Sequence, residues 1–226
     1  RKAAELVAGR ALGEPLAVAI DFRRDAIAQP HRYLDIPDPL LADMAIHHWD
    51  LLRMVLGREP VAAIASSWNP KGSPFRHDAS GAALIALEGG LVASWRGSWL
   101  SRGPVTPWAG AWVIECEDGQ IEWTCRGDAG ARLSADRLAI RRRGREPEPV
   151  PLEPLEFADR AGTTAAFARA ITTGRPPPAF PSGADNLASL ALVEAVVRSA
   201  GRGGARVEVR ELLAAAGATP VLEERP

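Results

Sequence analysis

Cysteine and lysine are nearly absent from this 226-residue sequence. Two cysteines, Cys116 and Cys125, exclude a disulfide-stapled scaffold and the paired Cys-x-x-Cys ligands of a structural zinc site. Both are expected to be small buried or half-buried thiols, in a reducing, cytoplasmic setting. Two lysines, Lys2 and Lys71, stand against 25 arginines, so a lysine-dependent mechanism has two candidates. One lies in the opening helix and the other in a turn after Asn69-Pro70, and a solvated side chain is the better reading of each. Net charge is missing as well: 27 Lys and Arg against 28 Asp and Glu leave −1. That balance argues against nucleic acid or an anionic membrane as the main partner. No apolar run approaches the roughly 18 residues of a bilayer span, and no signal-peptide order opens the chain. No G-x-G-x-x-G follows a strand; Gly201-Arg202-Gly203-Gly204 follows a helix and fails at the third glycine. P-loop, HExxH and GxSxG patterns are absent too.

What is present reads as an ordinary globular chain, 46% hydrophobic and 24% charged. At about 150 residues per domain the length suits one large domain, taken as residues 1–226. Residues 1–12 read as the end of a helix stopped by Gly13, and a chain opening inside a helix at Arg1 is expected to be a piece of something longer. Leu16 to Phe22 reads as a strand, followed by a polar loop over 24–39. Pro39 to Leu56 is the best helix, with Asp38 as N-cap, Pro39 in the first turn and Gly57 at the end. From Pro60 to Pro151 short apolar runs, ARLSA at 131–135 among them, alternate with turn signals at Glu88-Gly89-Gly90, Asp118-Gly119, Asp128-Ala129-Gly130 and Ala135-Asp136, the pattern of an antiparallel meander. Helices over 159–173 and 184–200, a short strand from Arg206 to Val209 and a loose tail over 210–226 complete the chain. The order predicts an α+β fold: a largely antiparallel, open-faced sheet with helices packed on one face.

Chemistry concentrates in DMAIHHWDLLRMVLG, Asp43 to Gly57. On a helix Asp43 and His47 share a face, and Asp50 continues that stripe. The neighbouring stripe of Leu41, Met44, His48, Leu51, Leu52 and Val55 is apolar and should face the core, which makes His48 a core histidine on spacing alone. Three readings of the Asp43/His47 pair stay open: an exposed polar face with ordinary side-chain pairing, a general base with an orienting carboxylate, or a metal site completed by His77. The last lacks a third ligand at diagnostic spacing. Trp95 and Trp99 fall on one face of a strand, with Trp108, Trp112 and Trp123 following, as a core, a subunit interface or a sugar-stacking platform. The arginines of 137–145 alternate onto the wet face of an edge strand.

The segment LLADMAIHHWDLLRMVLGREPVAAIAS resembles the hallmark of the glucose–fructose oxidoreductase/inositol dehydrogenase/MocA family, an Asp-x-x-x-His helix followed by DLLR, a Gly-x-x-Pro turn and a strand. GRALGEP is similar to the family's link out of its nucleotide domain, DASGAALIALEGGLVASWRGSW to its paired strands, and AWVIECEDGQIEW to its hairpin. FARAITTGRPPPAFPSGADNLASLALVEAVVRSAGRGGARVEV is similar to its closing helices and last strand. The resemblance implies a substrate-binding and oligomerisation domain, with residues 1–13 linking it to an N-terminal Rossmann domain that is not in this chain and that binds NAD or NADP. It implies a hydride passing between a secondary alcohol carbon of a sugar or polyol and the nicotinamide. His47 would take or return the hydroxyl proton, Asp43 would orient it or hold a neighbouring hydroxyl, and the family's lysine lies in the missing half. It further implies a homo-oligomer through the open sheet face. The family's glycine run before the Asp is replaced here by Asp38-Pro39-Leu40-Leu41, and Arg23, His31, Arg32 and Tyr33 in the preceding loop, with His48 from the helix, are candidate substrate contacts. The alternatives are a non-catalytic sugar-binding or assembly module and a nicotinamide-using glycosidase on the same scaffold.

Because the phosphate-cradling turn is missing, calorimetry of this chain with NAD and with NADP is expected to show no binding. Micromolar binding would contradict that reading of its domains.

Overall fold

Alternating burial along β1 (Pro15–Arg23) shows how the sheet is used. Val18, Ile20 and Phe22 are buried, while Ala19 between them is exposed and Asp21 half-buried. The same alternation runs through β4 (Val92–Ser98) and β5 (Ala111–Cys116), where Ala93, Trp95, Trp112 and Ile114 are buried. One face is therefore covered and the other open. The computed structural model describes residues 1–25, 31–125, 136–157, 159–176 and 182–217. The expected apolar run at 131–135 and the turn at 128–130 lie outside them.

The remaining strands are β2 (Pro60–Trp68), β3 (Ser80–Leu87), β6 (Gly119–Thr124), β7 (Arg137–Arg142), β8 (Glu148–Pro149) and β9 (Val207–Glu208). They form one nine-stranded sheet in the order β8-β7-β6-β5-β1-β4-β3-β2-β9. Among the described strands β1 and β4 are the one parallel pair, and all other pairings are antiparallel. Helices α1 (Lys2–Ala8), α3 (Ala45–Leu56) and α5 (Gly183–Gly201) line up on the covered face: α1 packs on α3, α3 on α5, and α5 on β2. The architecture is α+β, as the element order predicts. A short helix α2 (His31–Leu34) stands before the Pro39 turn, and α4 (Asp159–Thr173) leaves Phe167 and Ile171 exposed.

The structure departs from the sequence reading in three places. The tail is not loose at its start, because α6 (Val209–Ala215) packs on α5 and β2 with Val209 and Leu213 buried. The arginine-rich β7 is not the edge, since β8 pairs outside it through Ala139 with Pro149 and Ile140 with Glu148. The helix expected over Pro39 to Leu56 is two pieces: a π-helical turn over Pro39–Met44, then α3.

One buried cation ties the helical layer together. Arg53 on α3 is 2% exposed. It donates to both oxygens of Glu59 at 2.6 and 2.9 Å, to Asp185 of α5 at 3.0 Å and to Ser189 at 2.9 Å. Asp50 accepts from Ser189 at 3.0 Å and so belongs to this network. Burial works against the guanidinium charge, but Glu59 and Asp185 outweigh it and hold its pKa above the ordinary value. The planar fork suits this bidentate arrangement, which an ammonium cannot reproduce.

Replacing Arg53 with Met leaves those carboxylates facing an apolar stem. Their side chains are 27% and 33% exposed, which discounts the loss to about 3 kcal/mol. Urea denaturation should show that loss, with Arg53→Lys in between; a shift below about 1 kcal/mol for Arg53→Met would make the network incidental.

Candidate active site

The site begins at the Pro39 carbonyl, where the core meets the first turn of the helix. In a regular α-helix Pro39 O would accept the Asp43 amide. Here the indole N–H of Trp99 takes Pro39 O at 3.1 Å, and the Asp43 amide turns to Asp38 O, five residues back, at 3.4 Å. The Ala45 amide likewise reaches Leu40 O, so the first turn is π-helical, a form that recurs at functional sites. Asp38 sits in the left-handed region at φ 44° and makes no capping bond with its side chain, where the sequence had suggested an N-cap. Two glycines let this turn lie close to the sheet. Gly81 and Gly97 pair across β3 and β4; a methyl group on Gly81 would press on Leu41 and the Ser66 carbonyl, and one on Gly97 would press on Leu40 and collide with the Trp95 ring.

The turn presents Asp43 and, four residues on, His47, both exposed. Asp43 Oδ2 accepts the hydroxyl of Tyr33 at 2.8 Å. The Tyr33 ring stands edge-on to Trp99 and Phe75, at 5.9 and 6.2 Å between centroids. Burial, helped by the Asp43 hydrogen bond and charge, pushes the Tyr33 phenol well above its ordinary pKa. Among the described residues His47 makes no hydrogen bond; of the two roles expected of Asp43, orienting His47 or holding a neighbouring hydroxyl, the first has no direct bond here. The wall continues through Trp99 to Trp108 at 6.0 Å, with the Arg24 guanidinium 4.0 Å over the Trp108 ring and donating to Thr106 O at 3.1 Å.

Several predicted contacts fall elsewhere. His48 is fully buried and does not line a ligand surface. Its Nδ1 accepts from the Trp95 indole at 3.1 Å, and since an indole N–H can only donate, the proton sits on Nε2 and goes to Trp108 O at 3.1 Å. Arg23 points to the sheet's open face. It lies 2.9 Å from Asp21, without the alignment of a hydrogen bond, and Arg96 binds the same carboxylate. Phe22, one residue earlier, packs on His48, so the strand's two-residue period excludes Arg23 from the helix side. The same period brings Arg24, which sequence reasoning passed over, to the side of Phe22. Arg32 is exposed, and the side chain of His31 lies outside the described residues. Trp95, Trp99, Trp112 and Trp123 are buried core. Trp99 was visible as a sequence position, but nothing in the sequence marked Pro39 O as its acceptor.

Among the described residues no three His, Cys, Asp or Glu side chains are grouped to hold a metal ion, and no helix is long and apolar enough to cross a membrane. Gly203 and Gly204, at φ 66° and 87°, follow the carbonyl end of α5, the end that repels a phosphate.

Burial lowers the His48 pKa to about 4 against the opposing Trp108 hydrogen bond, and the nearby His47 lowers it further. A histidine whose folded pKa lies below its unfolded value of about 6.5 takes up its proton first in the unfolded chain, so stability is complete above that pH and is lost as pH falls toward 4. Chemical denaturation at pH 7 and pH 5 should show about 2 kcal/mol more loss in the wild type than in His48→Gln. Equal losses would mean that His48 is not held neutral.

Comparison with known proteins follows the same outline. The uncharacterized protein y4oX of Sinorhizobium fredii is 26% identical over 176 residues, 77% of this chain and 48% of that protein. An oxidoreductase from Agrobacterium radiobacter, in complex with NAD+, L-tartaric acid and magnesium, matches with a TM-score of 0.74 at 21% identity, covering 94% of this chain and 62% of its own. The aldose-aldose oxidoreductase from Caulobacter crescentus, complexed with glycerol, gives 0.72 at 21% identity over 91% and 59%. An inositol dehydrogenase homolog from Azotobacter vinelandii, complexed with NADH and myo-inositol, gives 0.65 at 18% over 92% and 60%. The likeness to these structures is one of fold, and the chain spans about half of the curated relative and about three-fifths of the structures. The model of the GFO/IDH/MocA C-terminal domain matches residues 1–122 of the 226, a stretch that holds the π-helical turn, α3 and the centre of the sheet, and the chain belongs to that family of oxidoreductases.

Proposed function

We propose that residues 1–226 serve as the substrate-binding and oligomerisation domain of an NAD(P)-dependent oxidoreductase acting on a secondary alcohol of a sugar or polyol. The observation that carries this reading is the exposed Asp43/His47 pair, presented by a turn that the core holds from below. An imidazole without an internal partner can take a proton from a hydroxyl at one ring nitrogen and return it. Among the described residues Asp43 Oδ1 has no hydrogen-bond partner, and a carboxylate oxygen accepts from a neighbouring hydroxyl. The glycerol and myo-inositol bound to the Caulobacter and Azotobacter proteins support a polyhydroxylated ligand.

This chain's own residues do not fit the nicotinamide cofactor. Among the described residues the run Gly201-Arg202-Gly203-Gly204 ends a helix instead of opening one. NAD or NADP would be held by residues outside residues 1–226, and α1 would be the link to them. The assembly reading rests on the open face, where Leu16, Ile64, Leu84 and Val92 are 59%, 39%, 50% and 43% exposed. Exposed apolar side chains grouped on one sheet face mark an interaction surface, and a second copy of this chain is the proposed occupant.

In the longer protein that this reading requires, replacing His47 with Ala is expected to lower kcat/KM for inositol and a sugar panel by roughly 10²–10⁴-fold. Wild-type turnover in His47→Ala would remove the proposed proton-transfer role. Turnover that leaves no reduced cofactor would point to glycoside cleavage instead.

A further inference from the structure

Tyr33 is the single tyrosine of the chain, and its surroundings fix it more firmly than a surface loop requires. Its ring is held edge-on by Trp99 and Phe75, which are 2% and 3% exposed. The last residue of its helix is pinned as well, the Leu34 carbonyl accepting the Arg76 amide at 2.9 Å. Two acceptors surround the hydroxyl: Asp43 Oδ2 at 2.8 Å and Pro39 O at 3.5 Å. A phenol has one proton, the Pro39 carbonyl already accepts from Trp99, and a carboxylate is the stronger acceptor, so the proton goes to Asp43.

From this geometry we infer that Tyr33 is a positioning residue, fixing the rotation of the Asp43 carboxylate so that Oδ1 faces a hydrogen-bond donor on the ligand. An aspartate side chain turns freely about its last torsion, and an exposed one with no donor would sample both oxygens at the site. With Oδ2 occupied, Oδ1 is the atom left to the ligand. It can only accept, so it selects a hydroxyl and turns away a carboxylate, a phosphate or a bare carbonyl at that place. The inference rests on the reading that Asp43 and His47 meet a polyol. It departs from the sequence expectation for Tyr33, which placed its hydroxyl on the substrate.

The test uses the 226-residue chain and myo-inositol as the probe. With one tyrosine present, the tyrosine Fermi-doublet intensity ratio in ultraviolet resonance Raman reports its hydrogen bonding directly. The wild type should show a strong donor that weakens in Asp43→Ala; an unchanged ratio would overturn the contact itself. Calorimetry of the wild type, Tyr33→Phe, Asp43→Ala and the double variant then separates positioning from direct contact. Tyr33→Phe should weaken inositol binding about tenfold when Asp43 is present and leave it unchanged when Asp43 is absent. An equal loss in both backgrounds would put Tyr33 on the ligand and overturn the positioning role. No binding by the wild-type chain would overturn the polyol reading and the positioning role together, while the Raman ratio would still report whether Tyr33 and Asp43 touch.

Discussion

Trp99 taking the carbonyl of Pro39 is the interaction on which the site depends. It ties that carbonyl to the core, while the Asp43 amide reaches Asp38 O, one residue further back than in an α-helix. The turn opens, Leu40 and Leu41 sink over the paired Gly81 and Gly97, and Asp43 comes within reach of Tyr33. Pro39 O meets the Trp99 indole N–H, whereas those of Trp49 and Trp123 are buried without a partner among the described residues; an unmet buried donor costs on the order of 1–3 kcal/mol. The turn begins at Asp38, in the left-handed region at φ 44°. The exposed pair thus stands on a turn that is anchored to the core from beneath.

Two polar devices divide the work around that turn. The Arg53 network holds α3 against the distant α5 and against Glu59 just before β2 through charged hydrogen bonds. His48 joins α3 to β4 and to the Trp108 loop with its two ring nitrogens, one as acceptor and one as donor. Neither touches the exposed edge, but together they fix the helix that carries His47. Adjacent histidines thus have opposite environments, one in water and one sealed among Phe22, Trp95 and Trp108.

The sheet separates two surfaces with different chemistry. The covered face carries the aromatic core and the Asp43/His47 edge. The open face carries Leu16, Ile64, Leu84 and Val92 around an Asp21 that binds both Arg23 and Arg96. Because strand side chains alternate, Arg23 and Arg24 belong to different surfaces although they are neighbours in sequence.

Much of the architecture was legible before any coordinates. The turns at Glu88-Gly89-Gly90 and Asp118-Gly119, the helix stopped by Gly57 and the alternation in LVASWRGSW gave the strand boundaries and the covered face, because local periodicity and turn chemistry act over a few residues. Asp43 and His47 were found for the same reason, since their spacing is a property of one helix. The partners of each group were not legible. That Tyr33 meets Asp43, that Arg53 meets Asp185, that His48 is bonded at both nitrogens and that Arg24, not Arg23, stacks on Trp108 depend on segments brought together from 10 to 132 residues apart. The sequence by itself determined the elements, their faces and the residues able to do chemistry. The tertiary structure decided which of them meet, because a hydrogen bond is set by distances of a few ångströms between chain segments whose separation along the chain carries no such information.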